Sequence, residues 1–368
     1  MNNHTTVREP LFHVANRATM SIWYKTIIYA VAIFAALFLG GIICSLVAHG
    51  DPFSFFSSLF SGAFGTARRR WIFLREVSLL ICVSMALVPA FKMKFWNLGA
   101  NGQILMGGLA TAACMFYFGG KISDGALIAV MAVASIATSI VWSVIPALLK
   151  VFFNANETLL TLMMNYVAAS LVSFCIAKWN PGGSGTLDHL TYGNIPSIIN
   201  EHFLIILVGA IITTFIVIYL KFTKHGYELS VVGDSPNTAR YVGMKVKKVV
   251  IRTMILSGVI CGIVGLLLVG AIGHTVGSNT VANRGFTAIM TTWLANCNPI
   301  FIVLSCSLVI FINKGMEQVR PDFGMLNDST ANLIIGIVYF FIIACAFFIK
   351  YRVIFRKKEH NNKKENVE

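Results

Sequence analysis

Long apolar runs separated by short polar segments organise this chain from end to end. A helix that crosses a bilayer needs about 20 predominantly apolar residues, fewer where it is partial or re-entrant. Ten runs are candidates on that measure: 26–48, 75–91, 102–119, 125–149, 156–178, 203–220, 250–271, 285–296, 299–314 and 332–350. The two between 285 and 314 are short, the length of half-helices that break around a pathway. The pattern predicts an all-α, polytopic membrane protein with about ten transmembrane helices. Its parts are a cytoplasmic N-terminal segment over 1–25, a membrane domain over 26–350 and a basic cytoplasmic tail over 351–368.

One polar segment breaks the apolar background. Gly226 to Met244 is short and lies between two runs long enough to span. Lys221, Lys224, Lys245, Lys247, Lys248 and Arg252 flank it. Ser235 followed by Pro236 predicts a helix start inside it. A serine oxygen caps free N–H groups, and proline fits the first helical position, where no hydrogen bond is lost. A short helix over roughly Ser235 to Gly243, within a loop over 221–249 on the basic cytoplasmic face, is a surface offered to a partner.

Composition sharpens the class. Hydrophobic residues are 57% of the 368 and charged residues 12%, whereas soluble chains carry about a quarter charged residues. The mean hydropathy is +0.75. The net charge of +14 does not signal nucleic acid. It gathers at 221–252 and 350–364, against spans, as topology-setting and lipid-contacting residues do. The summed Lys and Arg bias puts both termini inside, with an even span count. Arg68-Arg69-Arg70 resists this, because it falls in the loop after the first span, on the outer side. It marks a missed span, a loop packed on protein, or a cluster tolerated because later spans fix the orientation. Met1 to Lys25 lacks the pattern of a cleaved signal. The loop 179–202, rich in turn formers, is either a cap on the outer mouth or a plain connector.

The candidate chemistry is sparse. Most Cys lie in apolar runs, where Cys packs as a small hydrophobe. Only Cys297 sits in a polar break, and no Cys/His spacing suits a metal. No phosphate-binding loop, nucleophile elbow or zinc-protease motif occurs. No catalytic residue, metal or cofactor is therefore expected, and active transport would draw its energy from a partner or an ion gradient. Asn97-Leu98-Gly99-Ala100-Asn101-Gly102-Gln103 is either a bend lining a pathway for a polar solute or an ordinary cytoplasmic turn. Glu157, Thr161 and Asn165 share one helix face. Glu157 either stabilises the helix start, with Asn156 or Asn154 as cap, or opens a polar stripe towards the pathway or a neighbouring helix. The pathway candidates are thus Asn97, Asn101, Gln103, Glu157, Thr161 and Asn165. Gly258 and Gly262 have the spacing that lets membrane helices approach closely, and packing is the favoured reading.

These stretches resemble the permease subunits of bacterial ABC importers of the branched-chain amino acid, ribose and nucleoside type, over about 75–350. Asn97 to Gln103 is similar to the family's Asn-Ile-Gly-Ala-Glu-Gly-Gln signature. Asn156 to Tyr166 is similar to its Asn-Glu-(Val/Thr)-x-x-Thr-Leu-Met-Leu-Asn-Tyr block, and Gly226 to Met244 to the loop that docks on the ATPase. Arg284 to Ile289 with Asn298-Pro299 resembles its Tyr-Gly-Phe-Asp-Gly-Ile … Asn-Asn-Pro stretch. The combination points to the nucleoside branch. Two acids of the pattern are absent: Asn101 stands where the family has Glu, and Thr287 where it has Asp.

The resemblance implies a transport subunit, not an enzyme, with ATP hydrolysis supplied by a separate cytoplasmic subunit. It implies ATPase coupling through Gly233, Asp234, Pro236, Ala239, Arg240 and Gly243. Its implied partners are a second homologous permease in a heterodimer, an extracytoplasmic substrate-binding lipoprotein and membrane lipid, with no nucleic acid. The expected site is the bacterial inner membrane, with nucleosides as solute and purine nucleosides favoured. A simple-sugar permease and a secondary transporter of a polar solute are the alternatives.

Overall fold

The computed structural model describes residues 12–16, 22–48, 51–182, 185–196, 200–324 and 351–355, with scattered positions between 333 and 344. The chain divides into two compact units, one of 1–62 with 315–368 and one of 63–314.

In the first unit, β1 (Phe12–Asn16) pairs antiparallel with β2 (Tyr351–Phe355), Phe12 opposite Phe355 and Asn16 opposite Tyr351. The body of the chain is helical, as expected. To it the structure adds one two-stranded ribbon, made from segments expected as separate tails. Five residues on each side, at opposite ends of the sequence, leave no local pattern to read. Helix α1 (Ile22–Ala48) covers the expected span 26–48. Helix α2 (Pro52–Phe64) lies in a stretch not expected to be helical. Asp51 starts it, its side chain accepting from the Phe53 N–H at 3.2 Å.

The second unit holds α3 (Ala67–Lys92), α4 (Ala100–Phe118), α5 (Asp124–Phe153), α6 (Glu157–Trp179) and α7 (Phe203–Phe222). The short α8 (Lys224–Asp234) and α9 (Pro236–Tyr241) follow, then α10 (Val246–Leu267), which runs into a π-helical turn at Leu268–Gly273. Helix α11 (Arg284–Leu294) and the part of α12 (Pro299–Asp322) up to Lys314 complete the series. Arg68-Arg69-Arg70 is not in a loop. It forms the first turn of α3, which Thr66 caps by accepting from the Arg69 N–H at 3.2 Å. Hydropathy placed the start of α3 at 75 because three arginines hide a helix that its cap begins earlier.

Among the described residues, six helices are long and apolar enough to cross a membrane: α3, α5, α6, α7, α10 with its π turn, and α12. The count of about ten is therefore not reached among those residues. The run expected as a half-helix at 299–314 is a full 24-residue helix. In contrast, α11 has 11 residues, about 16 Å at 1.5 Å per residue, against a hydrocarbon core of about 30 Å. The expected span 332–350 lies largely outside the described residues.

Helices α4, α5 and α10 form the heart of this unit. Gly258 and Gly262 let α10 approach α5: a Cβ on Gly258 would sit 2.8 Å from Ile140 Cα, and one on Gly262 2.7 Å from Ile136 Cα. Ser135, Ser139 and Ser143 repeat every fourth residue along α5 and are fully buried. They donate to the carbonyls of Gly262 at 2.8 Å, Gln103 at 2.6 Å and Met254 at 2.8 Å. Between membrane helices, close backbone approach and side-chain hydrogen bonds replace the missing hydrophobic drive. Such bonds contribute on the order of 0.6–1.7 kcal/mol each.

Candidate functional site

The polar bend between α3 and α4 is sealed in protein. α3 ends at Lys92, and Lys94 takes a left-handed conformation that turns the chain. Asn97, Gln103 and Thr161 are at most 1% exposed and Asn165 is 9% exposed. Their polar atoms hold the bend itself. Asn165 accepts from the Gly102 N–H at 2.8 Å and donates to the Leu98 carbonyl at 2.8 Å. Thr161 Oγ1 accepts from the Leu98 N–H at 3.1 Å. Asn97 Oδ1 accepts from the Gly99 N–H at 3.0 Å and from Gln103 Nε2 at 3.3 Å. Ser257 on α10 closes the ring, accepting from Asn97 Nδ2 at 3.2 Å and donating to Gln103 Oε1 at 3.1 Å. Of the six pathway candidates, the structure brings Asn97, Gln103, Thr161 and Asn165 into one network.

The other two stand apart from it. Asn101 accepts from the Gly285 N–H at 2.7 Å and so caps the start of α11. Glu157 pairs with Lys150 at 2.8 Å. Asn156 caps α6, accepting from the N–H groups of Thr158 and Leu159 at 3.0 and 3.2 Å. Asn154 instead ends α5 in a left-handed conformation.

The segment between α7 and α10 is two helices joined at Ser235. Ser235 Oγ accepts from the Thr238 N–H at 3.2 Å, and Pro236 occupies the first position of α9. The helix ends at Tyr241, short of the expected Gly243, and the chain then turns at Gly243, whose φ of +83° suits a residue without a Cβ. Gly233 is buried against α3, where a Cβ would lie 2.1 Å from the Lys92 carbonyl oxygen. Ala239 faces inward as well. Asp234, Pro236, Arg240, Tyr241, Val242 and Gly243 face outward. Arg252 on α10 anchors the segment through an ion pair with Glu228 at 2.9 Å, and His225 packs beside both. The hydrogen bond that Arg252 donates is the main reason the Glu228 carboxyl titrates below its usual range. A cavity of about 640 Å³ separates the segment from the α5–α6 turn, with Lys94, Lys150, Arg240 and Lys247 on its walls.

Beside the bend, on the same end, Trp96 and Trp293 stand 4.6 Å apart at the edge of a cavity of about 260 Å³ that also touches Phe91, Lys94, Asn296 and Cys297. Sequence reasoning passed over a buried acid on α3. Glu76 bridges Arg75 and Arg284, each at 2.8 Å. An acid at the edge of an apolar run is the signal that marks it. At the opposite end from α8–α9, the strand-like segment 186–195 is sewn to 270–276. Leu187, Leu190 and Ile195 donate to the carbonyls of Val276, His274 and Gly270 at 2.9, 2.8 and 3.0 Å. That loop is therefore bound to the π turn and to the residues just after it.

The sequence pattern of the family described as "Branched-chain amino acid transport system / permease component" matches residues 70–344. A guanosine ABC transporter permease protein of Bacillus subtilis, NupP, is 26% identical over 90% of this chain and 97% of its own length. A glucose ABC transporter permease protein of Haloferax volcanii, TsgB13, is 26% identical over 92% of each. A nucleoside ABC transporter permease protein of Lactococcus lactis, NupB, is 24% identical over 89% of this chain and 92% of its own length. No solved structure is significantly similar to the chain.

Proposed function

Because the chain belongs to the branched-chain amino acid transport system permease family, we propose that it is the membrane subunit of an ATP-driven importer of nucleosides, purine nucleosides first. The chain is a multi-pass ABC transporter permease, a transport subunit and not an enzyme. Family membership implies a separate ATPase and a substrate-binding protein as partners. The finer partners proposed are a second, homologous permease in a heterodimer and a lipid-anchored extracytoplasmic binding protein, in the inner membrane of a bacterium with both termini cytoplasmic.

The observation that carries the coupling is the outward face of α8–α9. Its anchors, Gly233 and Ala239, are buried against the membrane helices, while Asp234, Pro236, Arg240 and Gly243 remain free of the core. On this reading, the ATPase grips that face. Gly233 passes its movement to α3, and the Arg252–Glu228 pair passes it to α10. The solute pathway runs along the bend, with Asn97, Asn101, Gln103, Glu157, Thr161 and Asn165 shaping it; four of these do so by fixing the backbone. Gly258 and Gly262 serve helix packing. The proposed count of ten crossings adds α1, α4 and the candidate runs 285–296 and 332–350 to the six long helices. An even number agrees with the proposal that both termini are cytoplasmic, and the ribbon between β1 and β2 supports it.

Two of the relatives above are named for guanosine and for nucleosides, and the bend is built from amides and hydroxyls that bond to one another and carry no fixed charge, which suits a neutral solute passing beside it. A glucose-transporting relative of similar identity supports the second reading, a simple-sugar permease. The test is competition for labelled guanosine uptake in cells carrying the whole transporter. Unlabelled adenosine and guanosine should abolish uptake, while leucine, ribose and glucose leave it. Full competition by glucose or leucine, with none by nucleosides, overturns the nucleoside reading and leaves the permease assignment intact.

A further inference from the structure

The cavity of about 640 Å³ between α9 and the turn joining α5 to α6 has two kinds of wall. Its floor is apolar: Met93, Phe95, Val232 and Gly233 line it and are buried. Its rim is charged. Lys94, Asp234, Arg240 and Lys247 line it and are exposed, while Lys150 and Glu157 line it as an ion pair at 2.8 Å. Four cations thus stand against two anions on the walls, and Lys150 already holds one of the anions. Lys247 Nζ lies 5.1 Å from the ring centroid of Phe152, a cation–π contact, and that ring is 63% exposed.

The rim selects an anion and the floor selects an apolar group. Inorganic phosphate or a lipid headgroup meets the first requirement only, since it would set charge on Met93, Phe95 and Val232 with no partner there. Lipid tails do not supply the apolar group, because walls this charged lie outside the hydrocarbon. A protein segment that carries both acidic and apolar side chains meets both requirements. Asp234, Pro236 and Arg240 belong at once to this cavity and to the outward face of α8–α9. A partner that grips that face therefore stands at the mouth of the cavity.

We propose that the cavity is a second docking pocket for the ATPase. A segment of the ATPase seats an apolar side chain on the floor and sets acidic side chains against Lys94, Lys247 and Arg240. The proposal rests on the reading of α8–α9 as the ATPase grip and extends that grip to α5 and α6. The Lys150–Glu157 pair ties the end of α5 to the start of α6, and Thr161 and Asn165 on α6 hold the bend. A pull on this turn reaches the bend through α6, beside the routes through α3 and α10.

The test is zero-length coupling of carboxylates to amines by a carbodiimide in the whole transporter, in phosphatidylcholine nanodiscs, with the joined peptides read by mass spectrometry. Lys94 and Lys247 should join to aspartate or glutamate of the ATPase, and Lys121, beyond the far end of α4, should not. Lys94→Gln combined with Lys247→Gln should weaken ATPase binding about tenfold and flatten its dependence on salt. With the ATPase in excess, the double variant should import less solute per ATP hydrolysed; an unchanged yield removes the link to the bend. Absence of coupling at both lysines overturns the proposal, as does wild-type affinity in the double variant. A double variant that keeps the ATPase but loses bound phosphatidylglycerol, in nanodiscs that contain it, makes the cavity a lipid headgroup site instead. Tyr241→Glu, on α9 and 93% exposed, addresses the α8–α9 reading by itself. Loss of the ATPase in that variant but not in the double variant leaves docking on α9 and removes the pocket; loss in neither removes both.

Discussion

At the residue scale, the amides of this chain are structural before they are anything else. Asn165 alone satisfies a backbone donor and a backbone acceptor of the bend, at Gly102 and Leu98. Asn165→Ala would leave both buried without partners, about 1–3 kcal/mol each. We expect a fall of several degrees in the unfolding temperature of the purified complex and loss of uptake. Asn165→Asp keeps the acceptor for Gly102 and loses the donor to Leu98, so it should fall between wild type and alanine; an alanine variant as stable and active as wild type refutes the role. Asn101 stands where the resemblance has an acid. Its side-chain oxygen caps α11 at Gly285, a task a neutral amide performs as a carboxylate does. The sequence identified these residues by their cost at membrane depth. It could not identify their partners, because the bonds join residues far apart in the chain and depend on which helices pack together. The Glu76 pair with Arg284 was hidden for the same reason.

At the element scale, the spans were legible where the helix boundary coincides with the hydropathy boundary, as at α6 and α7. They were misread where a cap or charge decides instead. Thr66 starts α3 through three arginines, and Asp51 starts α2 in a stretch too short and too rich in serine to register. The α8–α9 unit was legible because its signals are local: Ser235, Pro236 and Gly243 each act within the adjoining turn of helix. Its two faces predict two distinct failures. Arg240→Glu reverses a charge on the outward face, and the ATPase should copurify at least tenfold less. Gly233→Ala instead drives a Cβ into the Lys92 carbonyl, 2.1 Å away in the present geometry. The ATPase should still bind and hydrolyse ATP, with uptake largely lost. Normal transport in both variants refutes the assignment; normal coupling in Gly233→Ala alone refutes the route through α3.

At the scale of the whole molecule, the ribbon ties residue 14 to residue 353, which supports the proposal that both ends of the membrane domain lie on one side. Paired residues in antiparallel strands have Cα atoms about 4.5–5.5 Å apart, inside the range a disulfide accepts. Val14→Cys with Val353→Cys should oxidise to an intramolecular bridge in membranes, and reporter fusions at the two ends should give the same side. No bridge, or reporters on opposite sides, rejects the ribbon. The ribbon also orders events in time. β1 leaves the ribosome before any helix described here and β2 after all of them, so the strands meet only once every crossing between them has been threaded. Two five-residue strands are too few to close on their own strength; they close because the finished helices deliver them to one another. A chain halted short of 351 keeps both edges of β1 open, where β2 would close one of them, and an open edge is a template for another chain. The pairing thus forms only once synthesis has passed residue 355, and a stalled chain exposes one edge of β1 more than a chain in which the ribbon has closed.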